Sequence, residues 1–220
     1  RDVDHLYSVL KGPIGQQFFD NLAKRSNLRV LDVWYLGTRE LDLTRKVGPV
    51  RTPNDLRGVK LRMPNAEQWL DVGRALGANP TPLGFGEVYL GLKTGTIEGQ
   101  DNPVPTDWEE KFFEVTHYLV MTDHMIGYVT PVINEKLWQE MPENYRYYIK
   151  KAMEVARFYM NQQTLEKEVT LVGKAQEQYG VEVIIPDKQA FMENARRYYS
   201  DPKFEKRWGA GAYSRIQQSD

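Results

Sequence analysis

Arg62 is the side chain whose type and position most directly indicate a binding function. It lies in a short segment in which apolar Val59, Leu61 and Met63 alternate with charged Lys60 and Arg62. This period predicts a half-buried strand whose charged side chains point away from its apolar ones. A guanidinium at the end of such a strand is a forked, permanently charged donor that matches a carboxylate. A surface charge or an internal ion pair is the alternative interpretation of Arg62.

The residues after Arg62 predict the start of a helix. Pro64 ends the strand, Asn65 is interpreted as the N-cap, and Gln68 completes an approximate capping box three residues later. Because the N-terminus of a helix attracts anions, Arg62 would lie beside a second feature that favours a negatively charged ligand.

Residues that could support catalysis or metal binding are few and scattered. The chain has no G-x-S-x-G elbow, no P-loop, no G-x-G-x-x-G after a strand and no cysteine. Glu114 and His117 form one Glu-x-x-His step, whereas a di-iron bundle needs two such steps and two further carboxylates. We therefore expect a structural role for this step, and neither a metal nor a cofactor.

Asp123 and His124 are the remaining candidates for chemistry. They lie in a predicted loop after a strand, where they could form a catalytic pair, contact a ligand or have a structural role. Glu109 and Glu110 are adjacent, so they point in different directions on a helix or a strand. Because no convincing catalytic constellation is left, we expect that the protein is not an enzyme.

The composition excludes several classes of protein. The 220 residues include 29 Lys and Arg against 30 Asp and Glu, and a formal charge of -1 provides neither a basic surface for nucleic acid nor a polybasic membrane anchor. No apolar run approaches ~18 residues, so we expect no insertion into a membrane. The 13 Tyr, 8 Phe and 5 Trp suit a sugar or apolar ligand, with core packing as the alternative.

The distribution of apolar residues predicts alternating strands and helices, and hence an α/β fold with largely parallel sheets. Strands are predicted over residues 28–36, 59–63, 96–102, 118–122, 128–133 and 181–185, and helices over 14–25, 65–76, 85–93, 142–179 and 187–199. In this interpretation Gly37 and Arg39 lie in the segment that follows the first strand. The helix over 142–179 is long enough to cross two domains, unless it breaks near Asn161.

Four motifs together resemble one protein family. They are LRGVKLRMPN (56–65), GANPTP (77–82), FGEVYLGL (85–92) and GQDNP (99–103). In order and spacing they resemble the extracytoplasmic solute receptors of tripartite ATP-independent periplasmic (TRAP) transporters, the DctP family. The resemblance covers essentially all of the chain.

The resemblance implies a two-domain, periplasmic-binding-protein-like α/β fold with a ligand cleft between the domains and a long spanning helix. It assigns residues 1–36 to part of domain I, 37–127 to domain II, 128–160 to a return to domain I, 161–199 to a return to domain II, and 200–220 to a helical tail. Because such receptors begin with a strand, a helix and a strand that have no counterpart here, we also expect that the N-terminal part of domain I is missing.

The resemblance further implies a set of ligand-binding residues. Arg62 corresponds to the arginine that forms a salt bridge with the ligand carboxylate, Arg39 to a second arginine, and Asn102 to the asparagine of a Gln-Glu-Asn-Pro motif in which this chain has Asp101. The further candidates for ligand contact are Trp34, Phe85, Asp123 and His124.

The expected function is therefore that of a periplasmic solute receptor. It would be a monomer that captures a small organic acid and delivers it to the TRAP membrane subunits, with a hexuronate-like sugar acid favoured and the identity of the acid left open. The alternatives are an enzyme that acts on a sugar acid on a similar two-domain scaffold, and the effector-binding domain of a regulator.

Overall fold

The computed structural model describes residues 2–219, which form two compact units. Unit 1 contains Arg1–Leu36, Ile126–Glu166 and Trp208–Asp220, and unit 2 contains Gly37–Met125 and Lys167–Arg207. The assignment of the chain to the two domains of the receptor family stays a prediction.

Strands and helices both contribute to each unit, which confirms the predicted α/β class. The strands are β1 (Leu28–Val30), β2 (Trp34–Leu43), β3 (Lys60–Met63), β4 (Asn79–Pro82), β5 (Gly99–Pro103), β6 (Tyr118–Val129), β7 (Val132–Asn134) and β8 (Glu182–Ile184). The α-helices are α1 (Val3–Lys11), α2 (Pro13–Ser26), α3 (Glu67–Leu76), α4 (Val88–Thr94), α5 (Val104–Glu109), α6 (Glu135–Glu140), α7 (Glu143–Tyr179), α8 (Lys188–Tyr199), α9 (Pro202–Trp208) and α10 (Ala212–Gln217). Short 3-10 turns occupy Pro53–Leu56, Phe85–Glu87 and Phe112–Glu114.

The larger sheet has the strand order β4-β3-β5-β2-β6-β8. β3 runs parallel to β4 and β5, and β6 runs parallel to β8, but β2 and β5 pair antiparallel, as do β1 and β7. The expectation of largely parallel sheets therefore holds for these pairs of the larger sheet except β2–β5, which makes that sheet mixed, and it fails for the two-stranded sheet β1–β7. The parallel strands β3, β4 and β5 are connected through helices, α3 between β3 and β4 and α4 between β4 and β5, as parallel neighbours usually require.

The main hydrophobic core of unit 2 packs on this sheet. Its buried members on the strands include Leu41, Leu43, Leu61, Met63 and Val120. Helices contribute Leu76 and Phe191 to the same cluster. The core therefore holds β2, β3 and β6 in register, and these strands carry most of the candidate site residues.

Two predicted strands have different limits in the structure. The strand predicted over 28–36 is broken, because β1 ends at Val30 and β2 begins at Trp34 and continues to Leu43. Gly37 and Arg39 therefore lie inside β2 and do not leave a strand. Gly37 fits there because a Cβ atom at this position would lie 2.5 Å from the side chain of Pro103 on β5.

A similar correction applies to the loop predicted around Asp123. The strands predicted over 118–122 and 128–133 are largely one strand, β6, which contains both Asp123 and His124, followed by β7. The polar residues interrupt the apolar pattern that would predict one continuous strand. Asp123 also has a positive φ of 47°.

The helix after Arg62 begins later than predicted. α3 starts at Glu67 with Ala66 as its N-cap and no side-chain capping bond, so Asn65 is not the cap. By contrast, Asp187 caps α8, since its side chain accepts a hydrogen bond from the backbone N–H of Ala190. α7 runs unbroken for 37 residues and does not break near Asn161. Among residues 2–219 no helix combines the length and the apolar character needed to cross a bilayer.

Candidate ligand-binding site

Arg62 lies on β3 of unit 2, and it is buried. Only 3% of its surface is exposed, and its neighbours Leu61 and Met63 are also buried, so both faces of β3 are covered here and the prediction of a half-buried strand is wrong at this position. The Nε group donates a hydrogen bond to the backbone oxygen of Leu83 at 2.9 Å, and the guanidinium lies 5.8 Å from the centre of the Phe85 ring. The segment after β4 therefore covers Arg62.

The charge of Arg62 has no carboxylate partner within residues 2–219. Burial lowers the pKa of the Arg62 guanidinium; the charge of Asp101 opposes this effect and that of Arg39 adds to it. Burying a cation without an ion pair is costly unless a partner of opposite charge arrives. An anionic partner beside Arg62 would offset this cost.

Arg39 is also buried, but it is paired within the protein. Its Nε lies 2.7 Å from Oδ2 of Asp101, and Nη2 donates to the Asp101 backbone oxygen. Nε2 of His124 lies 3.2 Å from the same Oδ2, and the Arg39 guanidinium lies 4.7 Å from the centre of the Trp69 ring. These contacts connect β2, β5 and β6 and fix the position of Arg39.

Asp101 is ionised in this arrangement. Burial alone would raise the pKa of its carboxyl group, but Arg39 and His124 outweigh burial and hold this pKa below its usual value. Asp101 therefore neutralises Arg39 and leaves Arg62 as the buried cation without an ion pair.

Asn102 follows on β5 and is 5% exposed. Its Nδ2 donates to Oε1 of Gln100 at 2.6 Å, and Nε2 of Gln100 donates to Oδ1 of Asp107 at 2.7 Å. Sequence analysis missed Gln100 and Asp107. The two-residue spacing of Gln100 and Asn102 could have indicated a shared strand face, but nothing in the sequence links them to Asp107 on α5.

The remaining unit 2 candidates, Phe85 and Asp123, differ in exposure and partners. Phe85 is 42% exposed and lies edge-on to Phe112, with 6.1 Å between ring centres. The Asp123 carboxylate forms an ion pair with Lys188, and its backbone N–H donates to Oε2 of Glu40 at 2.8 Å. A ligand hydroxyl would therefore compete with Lys188 for the Asp123 carboxylate.

Glu40, which supports Asp123, is a buried acid that stays protonated. Burial of the carboxyl group is the main reason why the pKa of Glu40 is raised to about 9. Its side chain is 2% exposed, and Oε2 also accepts from Oγ1 of Thr122 at 3.4 Å. Glu40 thus helps to shape β6 next to His124 without adding a negative charge near neutral pH.

Glu40→Gln is expected to flatten the pH dependence of stability. Because the folded-state pKa of about 9 exceeds the ordinary value of 4.5, the folded protein binds one proton more between these values and loses stability as the pH rises. One such proton corresponds to about 1.4 kcal/mol per pH unit. Glutamine keeps an acceptor for the Asp123 N–H but does not titrate. Urea unfolding of both proteins across this pH window measures the two slopes.

Glu182→Gln, an exposed position on β8, is the control for removing a carboxylate. The free energy of unfolding of this variant should change with pH by the same slope as that of the wild type. If Glu40→Gln also keeps the wild-type slope, Glu40 does not titrate in this window and the assignment is wrong.

Trp34 belongs to unit 1, whereas the other six candidates belong to unit 2. It is the first residue of β2, and its indole Nε1 is buried without a hydrogen-bond partner in the part of the chain that the structure describes. Within unit 2 the structure connects Arg39 with His124 through Asp101. No cluster of three or more His, Asp or Glu side chains in residues 2–219 could hold a metal ion.

Comparison with known proteins identifies relatives along most of the chain. The chain is 36% identical over 201 residues to the sialic acid-binding periplasmic protein SiaP of Vibrio cholerae, an alignment that covers 91% of this chain and 61% of that protein. It is 34% identical over 194 residues to the 2,3-diketo-L-gulonate-binding periplasmic protein YiaO of Escherichia coli, covering 88% and 58%. The chain thus spans about three fifths of the length of these two relatives.

A solved structure has the same fold. It is a TRAP periplasmic solute-binding protein from Roseobacter denitrificans with bound 3-deoxy-D-manno-oct-2-ulosonic acid. The TM-score is 0.94 at 33% identity, over 100% of this chain and 72% of that one. The structural similarity therefore extends over the whole chain.

The family profile agrees with these similarities. The model of the DctP family, described as "Bacterial extracellular solute-binding protein, family 7", matches residues 1–206. The resemblance that the four sequence motifs indicated is confirmed, and the chain belongs to the DctP family of extracellular solute-binding proteins.

Proposed function

We propose that this protein is a periplasmic receptor that captures a small organic acid and delivers it to the membrane subunits of a TRAP transporter. Family membership supports a role in solute binding outside the cytoplasm. The proposal assigns to the protein binding and release of the acid, without a reaction, a cofactor or nucleic acid, and it treats the receptor as a monomer.

Arg62 is the observation that carries this proposal. Its guanidinium is 3% exposed and has no ion pair within the described residues, whereas the equally buried Arg39 is neutralised by Asp101. A carboxylate can accept two parallel hydrogen bonds from a guanidinium, so an acid supplies the charge that the protein does not. Arg62 supplies a charge and hydrogen-bond donors and is neither a nucleophile nor a proton-transfer group near neutral pH, so its own role is binding.

Hydrogen-bonding side chains on β5 and β6 favour a sugar acid over a simple fatty acid. Asn102 provides an amide whose Oδ1 can accept a hydrogen bond from a hydroxyl. Both ring nitrogens of His124 already contact Thr122 and Asp101, so a hydroxyl would have to share them. The two curated relatives are named for sialic acid and 2,3-diketo-L-gulonate, and the solved structure holds 3-deoxy-D-manno-oct-2-ulosonic acid. All three compounds combine one carboxylate with several oxygen groups. We propose a ligand of this class, with a hexuronate as the favoured member.

A thermal-shift screen against organic acids should identify this ligand. A ligand present at ~100 times its dissociation constant adds about 2.7 kcal/mol to the stability of the protein. For a chain of this size that corresponds to a rise in Tm of about 5–10 °C. The panel comprises D-galacturonate, D-glucuronate, sialic acid, 3-deoxy-D-manno-oct-2-ulosonic acid and succinate, and we expect a shift with at least one sugar acid.

The methyl ester of the best acid is the control, because it keeps the ring and hydroxyls but lacks the charge. It should produce little or no shift. A panel without any shift, or an ester as effective as its acid, would contradict carboxylate recognition. NMR spectra of the acid after prolonged incubation distinguish the receptor, which returns it unchanged, from an enzyme, which does not.

A further inference from the structure

Three buried side chains of unit 2 form a hydrogen-bonded series that we call the amide relay: Asn102, Gln100 and Asp107. Asn102 Nδ2 donates to Gln100 Oε1, and Gln100 Nε2 donates to Asp107 Oδ1, at 2.6 and 2.7 Å. Gln100 and Asp107 are fully buried, so neither can contact a ligand directly. The relay ends at Asn102, which the proposed function places at the ligand.

Hydrogen-bond chemistry gives the relay one direction. A carboxylate oxygen only accepts, so Asp107 requires the donor end of the Gln100 amide and turns its Oε1 toward Asn102. Oε1 in turn requires the donor end of the Asn102 amide. Protonation of Asp107 is compatible with this order, because Oδ2 has no partner within the described residues and can carry the proton while Oδ1 still accepts.

We propose that Gln100 and Asp107 are positioning residues that set the orientation of the Asn102 amide. Asn102 Oδ1 accepts no hydrogen bond from the described protein, so the relay leaves this oxygen for a donor such as a ligand hydroxyl. The inference rests on the proposed function only in treating Asn102 as a ligand-binding residue. The orientation itself is a property of the ligand-free protein.

The burial of the relay supports this role. Asp42 lies opposite Gln100 in the β2–β5 register and is also fully buried, so two carboxyl groups are placed near one amide. Apolar side chains of similar volume would often stabilise such a core at least as well. What the polar side chains provide, and apolar ones cannot, is a fixed donor and acceptor order along the relay.

Asp107→Asn tests the relay in the protein without ligand. An amide at position 107 can present either its oxygen or its NH2, so Gln100 is no longer held in one orientation. By NMR of selectively 15N-labelled protein, we expect the Asn102 Nδ2 hydrogens to exchange about 10-fold faster than in the wild type, the equivalent of roughly one hydrogen bond.

Asp71→Asn is the control, because it removes another buried carboxyl of unit 2 whose hydrogen-bond partners, Arg74, Tyr198 and Arg207, lie outside the relay. Its Asn102 side-chain exchange should equal that of the wild type. Wild-type exchange in Asp107→Asn would overturn the proposal. Equal acceleration in both variants would also overturn it, because general loosening of the core would then explain the effect.

A binding measurement with D-galacturonate connects the relay to the ligand. Asp107→Asn should weaken binding about 2- to 12-fold, the range expected for one hydrogen bond, and should have no further effect in an Asn102→Ala background. Additive losses would show that Asp107 does not act through Asn102. If the wild type binds no acid in the screen, the proposed function fails, whereas the exchange measurement still decides the relay.

Discussion

Arg62→Ala is expected to abolish most binding of the cognate acid while leaving the fold intact. The variant would bury the ligand carboxylate without its guanidinium partner, and removing one member of a buried charge pair costs roughly 2–5 kcal/mol. At 1.4 kcal/mol per tenfold, binding should weaken by about 30-fold to several thousand-fold. Arg62→Lys should recover only part of this affinity, because an ammonium lacks the forked geometry. Titration calorimetry with the best acid of the thermal screen measures each constant.

The stability of the ligand-free protein provides an independent test of the same idea. Since Arg62 is a buried cation without an ion pair, replacing it with Met should leave the midpoint of urea unfolding unchanged or raise it, even though binding is lost. Lys60→Ala, at the exposed start of the same strand, is the control and should bind normally. Near wild-type affinity in Arg62→Ala would refute the carboxylate role, and a large loss of stability in Arg62→Met would show that Arg62 serves the fold.

Local signals in the sequence were sufficient for elements with periodic apolar residues or a clear cap. The helices predicted over 142–179 and 187–199 appear in the structure as α7 and α8 with nearly the predicted limits. Burial of Arg62 was not predictable in this way. Alternation with Leu61 and Met63 indicates only which side chains share a face, and it is the later segment around Leu83 and Phe85 that covers the guanidinium.

Contacts between distant strands were the second limit. The ion pair of Arg39 with Asp101 depends on the antiparallel register of β2 and β5, which places Arg39 opposite Pro103. The strand predicted from the sequence ends before Gly37. Arg39 therefore lay outside any predicted strand, and no register could be assigned to it. The α/β class follows from the order of local elements, whereas partners such as Asp101 follow only from strand pairing, which alternation does not encode.

Asp101→Ala should produce the largest loss of stability among the site variants. It removes the carboxylate that lies 2.7 Å from Arg39 Nε and leaves a guanidinium that is 5% exposed without a counter-charge. Breaking a buried pair in this way costs about 3–5 kcal/mol. Asp101→Asn keeps one acceptor for Arg39, so its stability should lie between that of Asp101→Ala and that of the wild type. Urea unfolding at neutral pH measures all three free energies.

The pH dependence and a double variant together test the cause of that loss. Because the folded-state pKa of Asp101 lies below its ordinary value of 3.8, the contribution of the carboxylate is present above this pH and disappears as the pH falls through the folded-state pKa. The gap between wild type and Asp101→Asn should therefore shrink under acid conditions. Combining Asp101→Ala with Arg39→Met removes both charges and should restore much of the stability, since a buried pair replaced by apolar groups is often neutral. If the double variant is as unstable as the sum of the single ones, the loss comes from packing around Asp101, and an uncompensated Arg39 charge is not its origin.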